Sequence, residues 1–175
     1  MYFSVTPHFF SALFPDIVWT VKSSPHIYLS FDDGPHPDST PQILKLLIKH
    51  KIKATFFCLG KNLLLFPELK ARILREGHAL ANHGHEHISG WRTSTEDYLE
   101  DISKTAALIP GRLFRPAYGR LSWKQYHQLK KTHKLIMWSH MPGDFDDKKG
   151  MEDMYHEASK TISPGSIIAL HDHPK

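Results

Sequence analysis

Residues 26–35 read HIYLSFDDGP, an apolar run that leads directly into two adjacent aspartates and a Gly-Pro pair. The apolar run is typical of a buried strand, whereas Asp, Gly and Pro commonly form the turn that follows one. Two neighbouring carboxylates repel each other, and burying an unpaired charge is costly. Asp32 and Asp33 therefore lie either in a solvated turn or in a site that compensates their charge.

Similar apolar runs alternate with stretches of helical periodicity along the rest of the chain. We predict strands near residues 27–31, 54–59, 78–82, 112–115, 135–139 and 166–170. One helix is predicted to be capped by Ser39 or Thr40, and others lie near residues 67–76, 96–108, 122–132 and 151–162. This alternation favours an α/β fold, a parallel sheet or barrel in which ligands bind at the carboxyl ends of the strands.

The composition is that of a globular protein: 175 residues, 41% hydrophobic and 23% charged, which fits one domain. Its 22 basic and 18 acidic residues give a net charge of +4, and the scattered basic residues do not indicate a nucleic-acid partner. The apolar N-terminus lacks the features of a secretory signal, so we expect a cytoplasmic protein with no membrane span. The single cysteine, Cys58, is predicted to be a buried, unreactive thiol.

Chemically capable side chains follow most of the predicted strands. In chain order they are Asp32 and Asp33, His83, His85 and His87, Arg115, Asp144, and finally His171 and Asp172. Residues scattered at random over a surface would not recur just after the predicted strands. The sequence therefore predicts that these side chains meet at one edge of the sheet, which favours a site over a solvated turn for the two aspartates.

The spacing of His83 and His87 places both imidazoles on one face if this segment is helical. Two histidines and one carboxylate form a familiar ligand set for catalytic zinc, with one position left open. On such a helix His85 would point elsewhere, either exposed or supporting the site. A chance cluster of surface histidines is the alternative interpretation.

A bound divalent cation would also explain the adjacent aspartates. If one aspartate binds the metal, its neighbour can stay ionised and accept a proton from water. Arg115 either holds that second carboxylate or forms a plain structural salt bridge. His171 can supply the complementary acid, and these groups together describe metal-assisted hydrolysis of an amide or an ester.

From about residue 26 onward the chain resembles the polysaccharide deacetylases, the NodB-type carbohydrate esterases. Five motifs stand in the family's order: SFDDGP at 30–35, NHGHEH at 82–87, RPAYG at 115–119, GDF at 143–145 and LHD at 170–172. The resemblance implies a distorted, incomplete (β/α) barrel of about six or seven parallel strands. It also implies metal-dependent removal of N-acetyl groups from poly- or oligosaccharides that contain N-acetylhexosamine. We assign residues 26–175 to this domain, apparently shortened at its C-terminus, and residues 1–25 to an extension packed on it.

The resemblance implies a role for each residue that matches a family motif. Asp32 corresponds to the catalytic base, oriented by Arg115. Three residues correspond to the ligands of a divalent metal, usually zinc and in some members cobalt or nickel: Asp33, His83 and His87.

The remaining roles implied by the resemblance concern the leaving group and the substrate. His171 corresponds to the general acid, tuned by Asp144, and the backbone N–H of Tyr118 to an oxyanion donor. Three residues are expected to contact substrate: Leu170 in the acetyl-methyl pocket, Pro116 and Trp91.

The chain departs from the family motifs at Gly84, where Ser or Thr is common, at Ala117 and at Met141. The last two departures would allow hydrolysis of a non-sugar amide or imide instead. A shortened C-terminus would suit a catalytically impaired domain that binds sugar or metal. Trp138, inside a predicted strand, is expected in the core.

Overall fold

The computed structural model describes residues 4–7 and 9–173. Seven strands, all paired in parallel, form one sheet in the order β1-β6-β5-β4-β3-β2-β7. The strands are β1 Ile17–Val18, β2 Tyr28–Asp32, β3 Thr55–Cys58, β4 Ala79–Asn82, β5 Leu113–Phe114, β6 Lys134–Ile136 and β7 Ile167–His171. Single bridges from His140 to Ile168 and from Thr20 to Ser166 bring the two edges together. The predicted incomplete (β/α) barrel is confirmed.

Helices connect the strands and cover the outside of the sheet. They are α1 Phe9–Leu13, α2 Ser39–Lys49, α3 Gly60–Leu65, α4 Pro67–Arg75, α5 Thr95–Ala106, α6 Trp123–Thr132 and α7 Met151–Thr161. The periodicity of the sequence missed α1, α3 and β1, which are too short to establish a repeat. Within the described ranges, none of these helices has the length and apolarity needed to cross a membrane.

Successive residues of β3 show how the core is divided by the sheet. Phe56 packs with Leu44 of α2 and Ile73 of α4, whereas Phe57 faces the other side and packs with Ile167 of β7. This period of two, with both faces apolar, is expected of a parallel strand buried on both sides. Burial of each Phe side chain contributes about 2–3 kcal/mol, and this packing fixes the strand ends that carry the polar residues.

The thiol at the end of β3 behaves as the sequence indicates. Cys58 is fully buried and unpaired. Burial raises the pKa of this thiol well above its ordinary value, and the charges of Asp172 and Asp32 raise it further. The prediction of a buried thiol is confirmed.

The predicted cap of α2 is wrong. Asp38 occupies the N-cap and makes no capping hydrogen bond through its side chain. The hydroxyls of Ser39 and Thr40 instead donate to the carboxylate of Asp172, at 2.7 and 2.6 Å. The two hydroxyls therefore connect the start of α2 to the end of β7.

Two other expectations concern where elements begin and end. β6 ends at Ile136, two residues before Trp138, which is only half-buried. The expectation of a core tryptophan is wrong because the strand stops short of it. The domain boundary between residues 25 and 26 stays a prediction, although Ile17–Val18 already pairs with β6 as the edge strand of the sheet.

Candidate active site

A cavity of about 410 Å³ opens at the carboxyl ends of the strands. Its lining includes Asp32, Asp33, His83, His87, Tyr118 and His171, which come from the ends of four different strands or the loops that follow them. The structure therefore brings together side chains that the sequence placed after separate strands. Pro116 lines the same cavity, as do Trp138 and Met141.

Asp33, His83 and His87 form a compact group of potential metal ligands. The Oδ1 atom of Asp33 lies 3.4 Å from Nε2 of His83 and 3.1 Å from Nε2 of His87. The three potential ligand atoms all lie within 4.8 Å of one another. Asp33 Oδ1 is buried and accepts no hydrogen bond from any described residue. A buried oxygen without a donor, facing two imidazole nitrogens, fits a divalent cation with nitrogen and oxygen ligands.

The two histidines do not share a helical face, because residues 83–87 form an irregular loop after β4. The backbone is left-handed at Gly84, with φ of 84°, and at His87, with φ of 60°. Asp33 is left-handed as well, with φ of 76°. Such conformations cost on the order of 1–3 kcal/mol at a non-glycine residue and cluster at functional sites. The convergence of the ligands thus depends on backbone angles that hydrophobic periodicity does not encode.

The loop that carries the histidines is held from α5. The carboxylate of Asp101 accepts hydrogen bonds from the backbone N–H of His85 at 2.7 Å and of Glu86 at 3.0 Å. Thr105 donates to the carbonyl of Gly84 at 2.9 Å. Asp101 and Thr105 were missed by sequence reasoning. Their signal is a polar pair spaced i, i+4 on the buried face of a predicted helix.

Gly84, a departure from the family motif, has a structural reason. Its N–H donates to the side chain of Asn82 at 2.8 Å, and its φ favours glycine. A Cβ atom at this position would lie 2.8 Å from Oδ2 of Asp101, closer than a real Cβ contact. The close approach of the Asp101 carboxylate, which accepts from the loop, therefore favours a residue without a side chain here.

The candidate ligands shift one another's protonation in different directions. Burial alone would lower the pKa of His83, but Asp32 and Asp33 raise it, so a cation would compete with a proton at this ring. Nδ1 of His83 donates to the carbonyl of Arg115 at 2.8 Å, which leaves Nε2 unprotonated on the side of Asp33 when the ring is neutral. Burial lowers the pKa of His87 and favours its neutral form. Burial alone would raise the pKa of Asp33, but the two imidazoles hold it well below its usual range. An ionised carboxylate beside imidazoles is the donor set that zinc requires.

Asp32 forms a fully buried ion pair with Arg115, at 2.6 Å between Oδ1 and Nη1. The guanidinium also donates to Ser30 Oγ at 2.8 Å and to the carbonyl of Met137 at 3.1 Å, and it stacks 4.0 Å from the Phe57 ring centre. These contacts fix Arg115 independently of Asp32. The paired guanidinium compensates the charge of one of the two adjacent aspartates.

His171 is held by Asp144 in two ways. Asp144 Oδ1 lies 2.9 Å from His171 Nδ1, and Oδ2 accepts from the His171 backbone N–H at 2.7 Å. Burial alone would lower the pKa of His171, but the hydrogen bond and charge of Asp144, with the charges of Asp32 and Asp33, raise it above its ordinary value. A protonated imidazole with a fixed orientation can act as an acid.

Asp172, just after β7, connects the start of α2 to the end of β2, and it received no role from the sequence. Its side chain is fully buried and accepts from Ser39 and Thr40, while its N–H donates to the Asp32 carbonyl at 2.7 Å. A Cβ atom on Gly34 would lie 2.3 Å from Oδ2 of Asp172. The loop that carries the two aspartates is therefore packed directly against this carboxylate.

Some of the residues expected to contact substrate line the cavity, and others do not. Pro116 lines the cavity, and Tyr118 lies at its rim, 58% exposed and with φ of 58°. Leu170 packs against the core beneath α2, outside the cavity lining. Trp91 is 67% exposed, donates to the carbonyl of Leu121 at 3.0 Å, and lies outside the cavity lining. The roles assigned to Leu170 and Trp91 stay predictions.

Two curated deacetylases are similar to this chain over most of its length. The peptidoglycan-N-acetylglucosamine deacetylase of Bacillus cereus is 32% identical over 157 residues, which cover 85% of this chain but only 56% of that relative. The chitooligosaccharide deacetylase of Azorhizobium caulinodans is 32% identical over 154 residues, covering 83% of this chain and 73% of that protein. This chain thus spans little more than half the length of the first relative.

A solved structure extends the likeness to the fold. The Bc1960 peptidoglycan N-acetylglucosamine deacetylase, in complex with 4-naphthalen-1-yl-N-oxidanyl-benzamide, superposes with a TM-score of 0.86 at 28% identity. The match covers 97% of this chain and 82% of that one. A family model described as polysaccharide deacetylase matches residues 20–135. The chain belongs to the polysaccharide deacetylase family.

Proposed function

We propose that this chain is a zinc-dependent hydrolase that removes N-acetyl groups from oligo- or polysaccharides of N-acetylhexosamine. One observation carries the proposal: a single cavity is lined by three kinds of group. They are the Asp32 carboxylate paired with Arg115, the His171 imidazole paired with Asp144, and the potential metal ligands around Asp33. The names of the relatives, which act on chitooligosaccharide and peptidoglycan, support the substrate class. They do not favour the non-sugar amide or the impaired binding domain.

The ligand group supports a divalent metal, with zinc preferred because two imidazoles and one carboxylate suit it. Asp33, His83 and His87 would hold the ion. When bound there, a divalent cation supplies Lewis acidity, which polarises the amide carbonyl and makes a nearby water molecule more acidic. Cobalt or nickel would provide similar acidity with the same ligands.

The protein's own residues supply the proton transfers. Asp32 accepts a proton from water as the oxygen of that water forms a bond to the acetyl carbon, and Arg115 keeps the carboxylate in place. The Tyr118 N–H donates to the oxygen that gains negative charge. His171 gives its proton to the nitrogen as the carbon–nitrogen bond breaks. The products are acetate and a free amino sugar, and Asp144 stabilises the imidazolium before the transfer.

The test is acetate release from N-acetylglucosamine oligomers by metal-stripped protein, before and after zinc is restored. We expect release to need zinc and to fall by at least about 1,000-fold in Asp32→Asn, because proton transfer and charge placement are both lost. Glu86→Gln is the matched control. It neutralises an exposed carboxylate on the histidine loop whose ion-pair partners, among the described residues, are Lys61 and His85.

Two results would contradict the proposal. One is the absence of acetate with zinc, cobalt and nickel on chitin oligomers and on peptidoglycan fragments. The other is full activity in Asp32→Asn. If no acetate is released but the wild type binds zinc and Asp33→Ala does not, the metal site is real and the tested substrates are the wrong ones.

A further inference from the structure

A second cavity, of about 430 Å³, adjoins the candidate active site. The two share His87, Tyr118 and Arg120 in their linings. From these residues the second cavity extends to Arg92, at the end of the short 3-10 helix Gly90–Arg92. A saccharide that places one residue at the candidate metal ligands can thus place a neighbouring residue in this second cavity.

The second cavity has an unbalanced charge. Arg92 and Arg120 line it, and no aspartate or glutamate does. In the described ranges neither guanidinium forms an ion pair with a carboxylate, whereas Arg72 and Arg115 both do. Two arginines that converge on one cleft without an acidic partner leave their N–H donors available to a ligand.

The position of Arg120 is supported by aromatic side chains. Its guanidinium carbon lies 5.1 Å from the ring centre of Trp91 and 5.9 Å from that of Tyr118. Both distances fall within the range of cation–π attraction, which favours the charged group over the ring faces. These contacts place the guanidinium near two aromatic rings and use none of its hydrogen-bond donors. Trp91, which the sequence assigned to sugar contact, here supports an arginine.

We propose that this second cavity, lined by Arg92 and Arg120, binds an anionic group on the saccharide residue next to the one that is deacetylated. The inference rests on the proposed function and specifies its substrate class as anionic N-acetylated saccharides. The planar guanidinium matches the two oxygens of a carboxylate or of a phosphate, so either group supplies the required chemistry. The experiment below distinguishes these two sources.

The test measures kcat/KM of the zinc-loaded protein on three tetrasaccharides. One alternates N-acetylglucosamine with N-acetylmuramic acid and carries carboxylates, one is N-acetylglucosamine tetramer with a reducing-end phosphate, and one is the neutral tetramer. We expect one anionic substrate to be preferred over the neutral one. The preference should fall about 5- to 20-fold in Arg92→Gln/Arg120→Gln, because both donors of the subsite are removed. It should also weaken in about 0.5 M NaCl, where exposed charges are screened.

Arg75→Gln/Arg112→Gln is the matched control, since it removes the same two charges, from the end of α4 and from the residue before β5. These arginines precede β4 and β5 and so lie at the amino ends of the strands, opposite the cavity. The control should keep the wild-type preference. A ratio of anionic to neutral kcat/KM that is equal in the wild type and in the double variant would overturn the inference, while activity on the neutral tetramer would still support the proposed function.

If no substrate is turned over, the proposed anionic subsite can be tested by measuring ligand binding instead. Titration calorimetry on zinc-loaded Asp32→Asn would compare the anionic tetrasaccharides with the neutral tetramer, with and without the two arginine substitutions. Tighter binding of an anionic ligand that depends on Arg92 and Arg120 would support the subsite even if the proposed deacetylation failed. Equal binding of all three ligands would overturn it.

Discussion

The two proton-transfer groups of the cavity are held in different ways. The side chains of Asp32 and Arg115 are 4% and 0% exposed, and the arginine is fixed by β2 and by the carbonyls at the end of β6. The side chains of His171 and Asp144 are 17% and 24% exposed, and Asp144 lies on the long loop between β6 and α7. The base is thus part of the core, whereas the acid is held at the surface by one carboxylate. Stability and function should therefore be coupled at the base and separable at the acid.

The largest effect is expected at Arg115. In Arg115→Met the charge of Asp32 stays buried without a partner, which should lower the free energy of unfolding by about 3–5 kcal/mol. Urea denaturation of the metal-free protein measures this loss without reference to activity. The double variant Arg115→Met/Asp32→Leu should recover most of the stability and no activity, since no charge then lies unpaired. A loss below about 1 kcal/mol in the single variant would mean that the pair is not buried in solution.

The next effect concerns the buried carboxylate of Asp172, which connects the end of β7 to the start of α2. Asp172→Ala removes the acceptor of the Ser39 and Thr40 hydroxyls and opens space beside Gly34. The loss should be about 2–3 kcal/mol, and Asp172→Asn should lose less because its amide oxygen can still accept. Unfolding in urea gives the ranking. Equal losses in the two variants would show that the hydrogen bonds to Asp172 do not matter.

The next comparison, whose measured difference is smaller, separates two causes of strain at Gly84: its backbone angle and its contact with Asp101. Gly84→Ala adds a Cβ atom 2.8 Å from Asp101 at a positive φ, whereas Gly111→Ala adds one at a φ of 92° with no atom within 4 Å. Both variants should lose about 1 kcal/mol from the backbone, and Gly84→Ala about 1–2 kcal/mol more from the contact. Gly84→Ala should also weaken zinc binding in a chelator competition. Identical stabilities would mean that Asp101 moves away at no cost.

Much of this site could be predicted from the sequence because the carboxyl ends of parallel strands lie at the same edge of the sheet, irrespective of the conformation of the loops. Asp32, Arg115 and His171 each follow or end a strand with a clear apolar pattern, and the parallel sheet brings them together. The angles that turn His83 and His87 toward Asp33 could not be predicted from periodicity, since they are set by left-handed residues and by hydrogen bonds that Asp101 of α5 accepts from the loop. The strand ends therefore account for the grouping of Asp33, His83 and His87, whereas the shared helical face considered for the two histidines is absent, and their role as metal ligands stays a prediction.

The role of Asp172 was missed for a related reason. Its partners, Ser39 and Thr40, lie more than 130 positions away in the chain and had a plausible local role as helix caps. Local propensity favoured the cap, but a buried carboxylate needs donors, and the two hydroxyls are the donors it has. Helix-cap propensity is a local property of the sequence, and it contains no information about a carboxylate that needs hydrogen-bond donors from a distant segment.

The smallest structural effect is expected at Asp144, and it tests the acid side of the comparison directly. Asp144→Asn should change the free energy of unfolding by less than about 1 kcal/mol, because the pair is partly exposed and the amide can still accept from the backbone of His171. The functional effect has a definite sign. Asp144 raises the pKa of His171, so its neutralisation lowers that pKa, and the imidazole loses its proton at a lower pH.

Since the acid must be protonated to act, the alkaline limb of the pH dependence of kcat should move to lower pH in Asp144→Asn. Asp153→Asn, an exposed carboxylate on α7, is the control and should leave the limb in place. A limb that stays fixed in Asp144→Asn would mean that a group other than His171 limits the rate at high pH. A limb that moves while stability is kept would show that the acid is tuned by one carboxylate at the surface, independently of the core that holds the base.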